Sequence, residues 1–140
     1  MIGPILNSSG YTLAPHSEEA RTRLRALRRR GDDLVVPAAV LAEGVLTGHP
    51  GRDHHVRKLL GLVSVIEVDG PLGHAAGALR VGAIRDGIDP PPSGVDAIVA
   101  ATANAAAAGD EITVVTSDPG DIAALLAAGS HPDRVSILRV

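Results

Sequence analysis

The sequence predicts an α/β domain of three layers, with helices on both faces of a central, mainly parallel sheet of four or five strands. Three observations carry that expectation. The chain has 140 residues, which makes one domain spanning 1–140 the default and leaves enough length to bury a core. Short apolar runs alternate with longer helical patterns, and no hairpin signal joins two runs directly, which is the order of a parallel sheet covered on both faces. The run ITVVT at 112–116 is apolar or β-branched throughout, as a strand buried on both sides must be.

The elements follow in order. MIGPIL reads as a short buried strand ending at Leu6. Residues 18–30 read as a helix, with Ala20, Leu24 and Leu27 at i, i+4 and i+7, Ser17 as N-cap, acids in the first turn and arginines in the last. Gly31-Asp32-Asp33 ends it, and Leu34-Val35-Val36 is a second strand. Pro37 suits the first turn of a helix, AAVLAEGVLTG, expected to run to about Gly48. A helix over 54–62, a strand over 63–68 and a helix over 72–86 come next. The three prolines within 89–93 form a loop. An Ala-rich helix over 94–108, the strand 112–116, a helix over 118–128 and a strand over 135–138 complete the chain.

Composition removes several classes of function. There is no Cys, so a disulfide scaffold, a thiolate nucleophile and Cys-ligated metal sites are excluded. Tyr11 is the sole aromatic, so the core is aliphatic and base-stacking on aromatic rings is nearly unavailable. No apolar run approaches ~18 residues, and the first ten residues lack a basic leader, so neither a membrane span nor a secretory signal is expected and the location expected is cytoplasmic. The net charge of −3 argues against a simple electrostatic grip on nucleic acid. No G-x-S-x-G elbow, phosphate loop, paired aspartates after the first strand or late strand-end lysine is present.

In open parallel sheets, sites form beyond the carboxyl ends of the strands. Asn7-Ser8-Ser9 follows the first strand there, and Thr116-Ser117-Asp118 the fourth. Glu43 stands on a mostly apolar helix after the second strand, and Asp96 opens the Ala-rich helix. Each has a plain reading: Asn7 as a turn residue, Asp118 as N-cap with Asp121 in the first turn, Asp96 as a first-turn acid below a Ser93 cap, and Glu43 as a solvent-facing carboxylate. Together they suggest carboxylates converging at one end of the sheet. Such groups raise one another's pKa unless a cation neutralises them, and all-oxygen donors suit Mg2+ or Mn2+.

Arg21, Arg25 and Arg28 make a stripe at helical spacing. It reads as a solvated face paired with Glu18 and Glu19, with phosphate contact as the second reading. His49, Asp53, His54 and His55 match no metal motif and read as a polar loop leading into a helix.

The segments ILNSSG, VVPAAVLAEGVL, GVDAIVAATA and ITVVTSDPGDIAAL, in this order and spacing, resemble the PIN-domain ribonucleases across essentially the whole chain, and most closely the toxins of VapBC toxin–antitoxin pairs. The resemblance implies a metal-dependent endoribonuclease using Mg2+ or Mn2+, blocked by a cognate antitoxin and commonly dimeric. Carried over position by position, it implies a metal and catalytic set of Asn7, Glu43, Asp96 and Asp118, with Asp121 and Ser8 as auxiliaries. Asn7 departs from the pattern, which has Asp there. An amide can still offer a carbonyl oxygen but brings no charge. The alternative implied is a weakened or inactive PIN domain that binds antitoxin or RNA.

Overall fold

The structure is a computed structural model and describes residues 2–140. Five strands, β1 (Ile2–Leu6), β2 (Asp33–Pro37), β3 (Val63–Ile66), β4 (Ile112–Thr116) and β5 (Val135–Arg139), form one sheet in the order β3-β2-β1-β4-β5. All four pairings are parallel. The chain steps from β1 outward to β3, then crosses back to lay β4 on the other side of β1. The topological switch point, where such sheets open a crevice, therefore lies between β1 and β4.

Among the described residues, seven α-helices cover the sheet. α1 (Ser8–Leu13), α2 (Glu18–Arg29) and α4 (Pro50–Leu60) form one layer. α5 (Gly70–Arg85), α6 (Gly94–Ala106) and α7 (Pro119–Ala127) form the other, and the single-turn α3 (Ala38–Leu41) touches α6 at the carboxyl end of β2. This is the three-layer fold that the sequence predicts.

Local chemistry explains most boundaries. Ser17 caps α2 by accepting from the Ala20 N–H, Glu18 and Glu19 occupy its first turn, and Arg28 and Arg29 its last. Ser93 caps α6 in the same way, accepting from the Asp96 N–H at 3.0 Å. α6 buries Ala97, Val99, Ala100, Ala101 and Ala103; its small side chains let the helix approach the sheet closely. β4 is buried at Ile112, Val114, Val115 and Thr116, as its composition requires, whereas β3 is an edge strand with Ser64 and Val65 exposed.

Two departures bear on function. Residues 8–13, for which the sequence predicts no element, form α1, because the Asn7 side chain caps it by accepting from the Gly10 N–H. The helix expected from Pro37 to about Gly48 stops at Leu41. Gly44 has φ +77°, a left-handed backbone that ends the turn. Beyond it the Asp53 carboxylate accepts from the Thr47 N–H at 2.9 Å, the Thr47 hydroxyl at 2.8 Å and the Gly48 N–H at 2.8 Å. Those bonds hold residues 47–48 in a loop.

Candidate functional site

The switch point brings Asn7, Asp96, Thr116 and Asp118 together from three parts of the chain. Asn7 lies at the end of β1 and is 3% exposed. Its backbone N–H donates to the Val115 carbonyl at 3.4 Å, tying the strand ends together. Its Oδ1 accepts from the Gly10 N–H at 2.8 Å and from the Ser9 hydroxyl at 2.9 Å. Its Nδ2 donates to Thr116 Oγ1 at 2.6 Å and to Asp96 Oδ1 at 3.4 Å.

A second layer of bonds sets the loop after β4. The Ser117 N–H donates to Ser9 Oγ at 2.9 Å, and the Asp118 N–H donates to Thr116 Oγ1 at 3.0 Å. Asp118 is the N-cap of α7 and accepts from the Asp121 N–H at 3.5 Å. Thr116 and Ser9, which the sequence places at the two strand ends, were not in the metal and catalytic set that the resemblance implies. A hydroxyl at the last position of a buried strand, two residues before Asp118, is the signal that identifies Thr116.

Asp121 senses the acids beside it. Asp121 is held above the ordinary carboxylate pKa, first by burial, then by the neighbouring Asp118 carboxylate and by Asp96. Asp118 is exposed, whereas Asp96 and Asp121 are half-buried.

Glu43 is placed differently from its expected position on a helix. It follows the end of α3 in a turn, its N–H donating to the Val40 carbonyl, and it is exposed. It lines a cleft of about 480 Å³ together with Arg80, Ser93, Gly94 and residues of α5 and α6. Ser93 and Gly94 belong to the turn that presents Asp96, but Asp96, Asp118 and Asp121 do not line this cleft, and Glu43 stands apart from them. Arg80 Nε donates to the Pro92 carbonyl at 2.8 Å. Ser8 occupies the first turn of α1, half-buried, while its neighbour Ser9 makes the contact to Asn7.

The chain resembles solved structures across its whole length. A chain in the crystal structure of VapBC2 from Rickettsia felis bound to a DNA fragment from their promoter superposes with a TM-score of 0.70 at 16% identity, covering 100% of this chain and 99% of that one. A chain in the crystal structure of DNA-bound VapBC from Salmonella typhimurium gives 0.67 at 16% identity, with 99% and 98% covered. This chain has their fold. No family model and no curated protein matches it by sequence. The structural neighbours are VapBC complexes, the systems to which the sequence motifs pointed.

The donor set suits a hard divalent cation in kind, being carboxylate oxygens that repel one another. Against the set that the sequence resemblance implies, it lacks an anion at residue 7. Asn7 does not offer the carbonyl oxygen expected of it, because Oδ1 is committed to the α1 cap and the amide nitrogen faces Asp96. Among the described residues no three acids or imidazoles are close enough together to hold a metal ion.

The arginine stripe is also placed differently. The expected pairings with Glu18 and Glu19 do not form; the one ion pair among the described residues is Arg30 with Asp32 at 3.7 Å. Arg21 instead donates to the Pro15 carbonyl at 2.8 Å. With Arg25, Arg28 and Lys58 it borders a groove between α2 and α4 of about 330 Å³, also lined by Leu24, Leu34, Leu59 and Leu62.

Proposed function

We propose that this protein is an RNA-cleaving toxin of a type II toxin–antitoxin pair, acting on phosphodiesters at the carboxylates beyond β1 and β4. The observation that carries the reading is the meeting of Asp96 with Asn7 and the Thr116–Asp118 segment at the topological switch point. The fold shared with VapBC chains supports it.

In this reading Asp96, Asp118 and Asp121 are the carboxylates that would approach Mg2+ or Mn2+. Since no three acids among the described residues stand close enough to hold an ion as the chain stands, they and Glu43 would have to draw together around it. A cation bound there would supply a water of lowered pKa and a positive charge against the phosphate. The chain's own residues do the rest. Thr116 and Ser9 fix the loop bearing Asp118. Ser93 fixes the first turn of α6 and so the position of Asp96. Arg80, on the cleft wall, offers positive charge to the phosphates of a bound strand.

The antitoxin we assign to the α2–α4 groove. Its aliphatic lining and arginine border complement an acidic amphipathic segment. We further propose a cytoplasmic homodimer, the state in which arginines of two subunits can flank one RNA.

The test is cleavage of single-stranded and structured RNA in Mn2+ by the wild type and by Asn7→Asp, each with and without Asp96→Asn. Cleavage that falls on the order of a hundredfold or more with Asp96→Asn is the expected result. Cleavage indifferent to Asp96, or none by an Asn7→Asp protein that binds Mn2+, would overturn the proposal.

A further inference from the structure

The orientation of the Asn7 amide is fixed by its surroundings. The Gly10 N–H can only donate, so the Asn7 atom facing it at 2.8 Å is Oδ1. The Ser9 hydroxyl donates to the same oxygen. Turning the amide over would set its NH2 against the Gly10 N–H, uncap α1 and leave a buried donor without a partner. The NH2 group is thereby held toward Thr116 and Asp96. It has two donors and no lone pair to offer a cation. Asp96, the acid that the α6 N-terminus presents, already has that donor as its partner.

We infer that the Asn7 amide, and not a cation, is the built-in partner of the Asp96 carboxylate, and that it acts as an internal brake on cation binding at this centre. A divalent cation binds the chain weakly as it stands, because it must displace an internal hydrogen bond and gains no anion from residue 7. Replacing the amide by a carboxylate keeps the cap oxygen, removes the donor and adds a negative charge at the same position. The inference deepens the nuclease reading and rests on it for its biological meaning. The binding equilibrium it describes is measurable without any RNA.

The experiment is Mn2+ titration by calorimetry, with melting temperatures in Mn2+ and in chelator. The proteins are the wild type, Asn7→Asp, and the double variant Asn7→Asp/Asp96→Asn. Asn7→Asp is expected to bind Mn2+ roughly tenfold or more tighter than the wild type. In chelator it should melt below the wild type, since two carboxylates then face each other, and Mn2+ should reverse the loss. The double variant puts the amide on the other side of the same contact. It should melt near the wild type in chelator and bind Mn2+ no better.

Equal Mn2+ binding by the wild type and Asn7→Asp would overturn the inference. So would failure of both variants to fold in Mn2+. If Asn7→Asp folds only with Mn2+ while the double variant folds without it, the brake is upheld. The two readings fail separately. Tight Mn2+ binding by Asn7→Asp with intact RNA removes the nuclease and leaves the brake. Equal Mn2+ binding with cleaved RNA does the reverse.

Discussion

Asn7 donates through its side-chain amide to the carboxylate of Asp96, 89 residues away along the chain. The same amide caps α1 and bonds the hydroxyl that ends β4. One side chain thus joins the helix after β1, the strand beside it and the helix that crosses back from β3. Its structural and functional roles cannot be removed separately by truncation, but they can be separated by chemistry.

Truncation to Ala at position 7 removes the cap of α1 and leaves the Gly10 N–H without its acceptor. The loss of a helix cap costs about 1 kcal/mol and an orphaned buried donor about 1–3 kcal/mol, so Asn7→Ala should lower stability by about 2 kcal/mol in urea unfolding. Asn7→Ser, with a hydroxyl able to cap but no donor long enough to serve Asp96, should fall between wild type and Ala. A series in which Ser and Ala are equal would show that the cap contributes nothing.

Gly10 is a packing position of a different kind. A Cβ there would fall inside van der Waals contact of the Val115 carbonyl, so α1 lies against β4 with no room for a side chain. Gly10→Ala should therefore destabilise by about 1–3 kcal/mol, although alanine favours helix in isolation. It should also loosen the α1–β4 contact on which the Ser9–Ser117 bond depends. A chemical-denaturation midpoint equal to that of wild type would contradict this.

How far the sequence revealed these features follows from which forces set them. The parallel sheet was legible because β2 and β4 carry continuous apolar runs, and the caps Ser17 and Ser93 were legible because their oxygens act on their own first turns. Asn7 and Asp118 were legible as residues beyond strand ends, and Asp96 as an acid opening the Ala-rich helix. The hydrogen-bond direction between Asn7 and Asp96 was not, because it is decided by Gly10 and Ser9 acting on the far side of the amide. Glu43 was misplaced for a related reason. Apolar periodicity continues past Leu41, but Gly44 and the Asp53 carboxylate impose a loop that no local propensity announces. The arginine stripe was read from spacing to Glu18 and Glu19, whereas the Pro15 carbonyl and the α2–α4 groove determine where Arg21 lies.

Asp53 and Asp121 should respond to acid in opposite directions. Asp53 is held below its ordinary value of 3.8, chiefly by the Thr47 N–H. Its contribution to stability is therefore present above that value and lost as pH falls through the lower folded one. Asp121 is raised, so its ionisation opposes folding as pH climbs past the ordinary carboxylate value. Asp53→Asn should melt below the wild type at neutral pH, with the gap closing below about pH 4. Asp121→Asn should melt above the wild type at neutral pH and match it in acid. Melting curves from pH 7 to 3 check both, and parallel curves for either variant would contradict the assignment.

Tyr11 is fully buried on α1, and its hydroxyl has no hydrogen-bond partner among the described residues. Burial pushes its pKa from 10.0 to about 12. A buried donor without a partner costs about 1–3 kcal/mol, whereas the ring itself fills core volume. Removing only the oxygen should therefore help: Tyr11→Phe is expected to gain about 1 kcal/mol, part of the penalty being offset by the small void left behind. The alkaline limb gives an independent reading. The unfolded chain releases the phenolic proton near its ordinary value while the folded chain retains it to about 12. The wild type must then lose stability as pH rises between those values, and the Phe variant must not lose it through this group. Because Tyr11 is the one aromatic residue in the chain, its ultraviolet ionisation spectrum reports this group alone. A phenol that ionises at its ordinary value in the folded protein, together with a Phe variant less stable than wild type, would show that the hydroxyl is hydrogen-bonded.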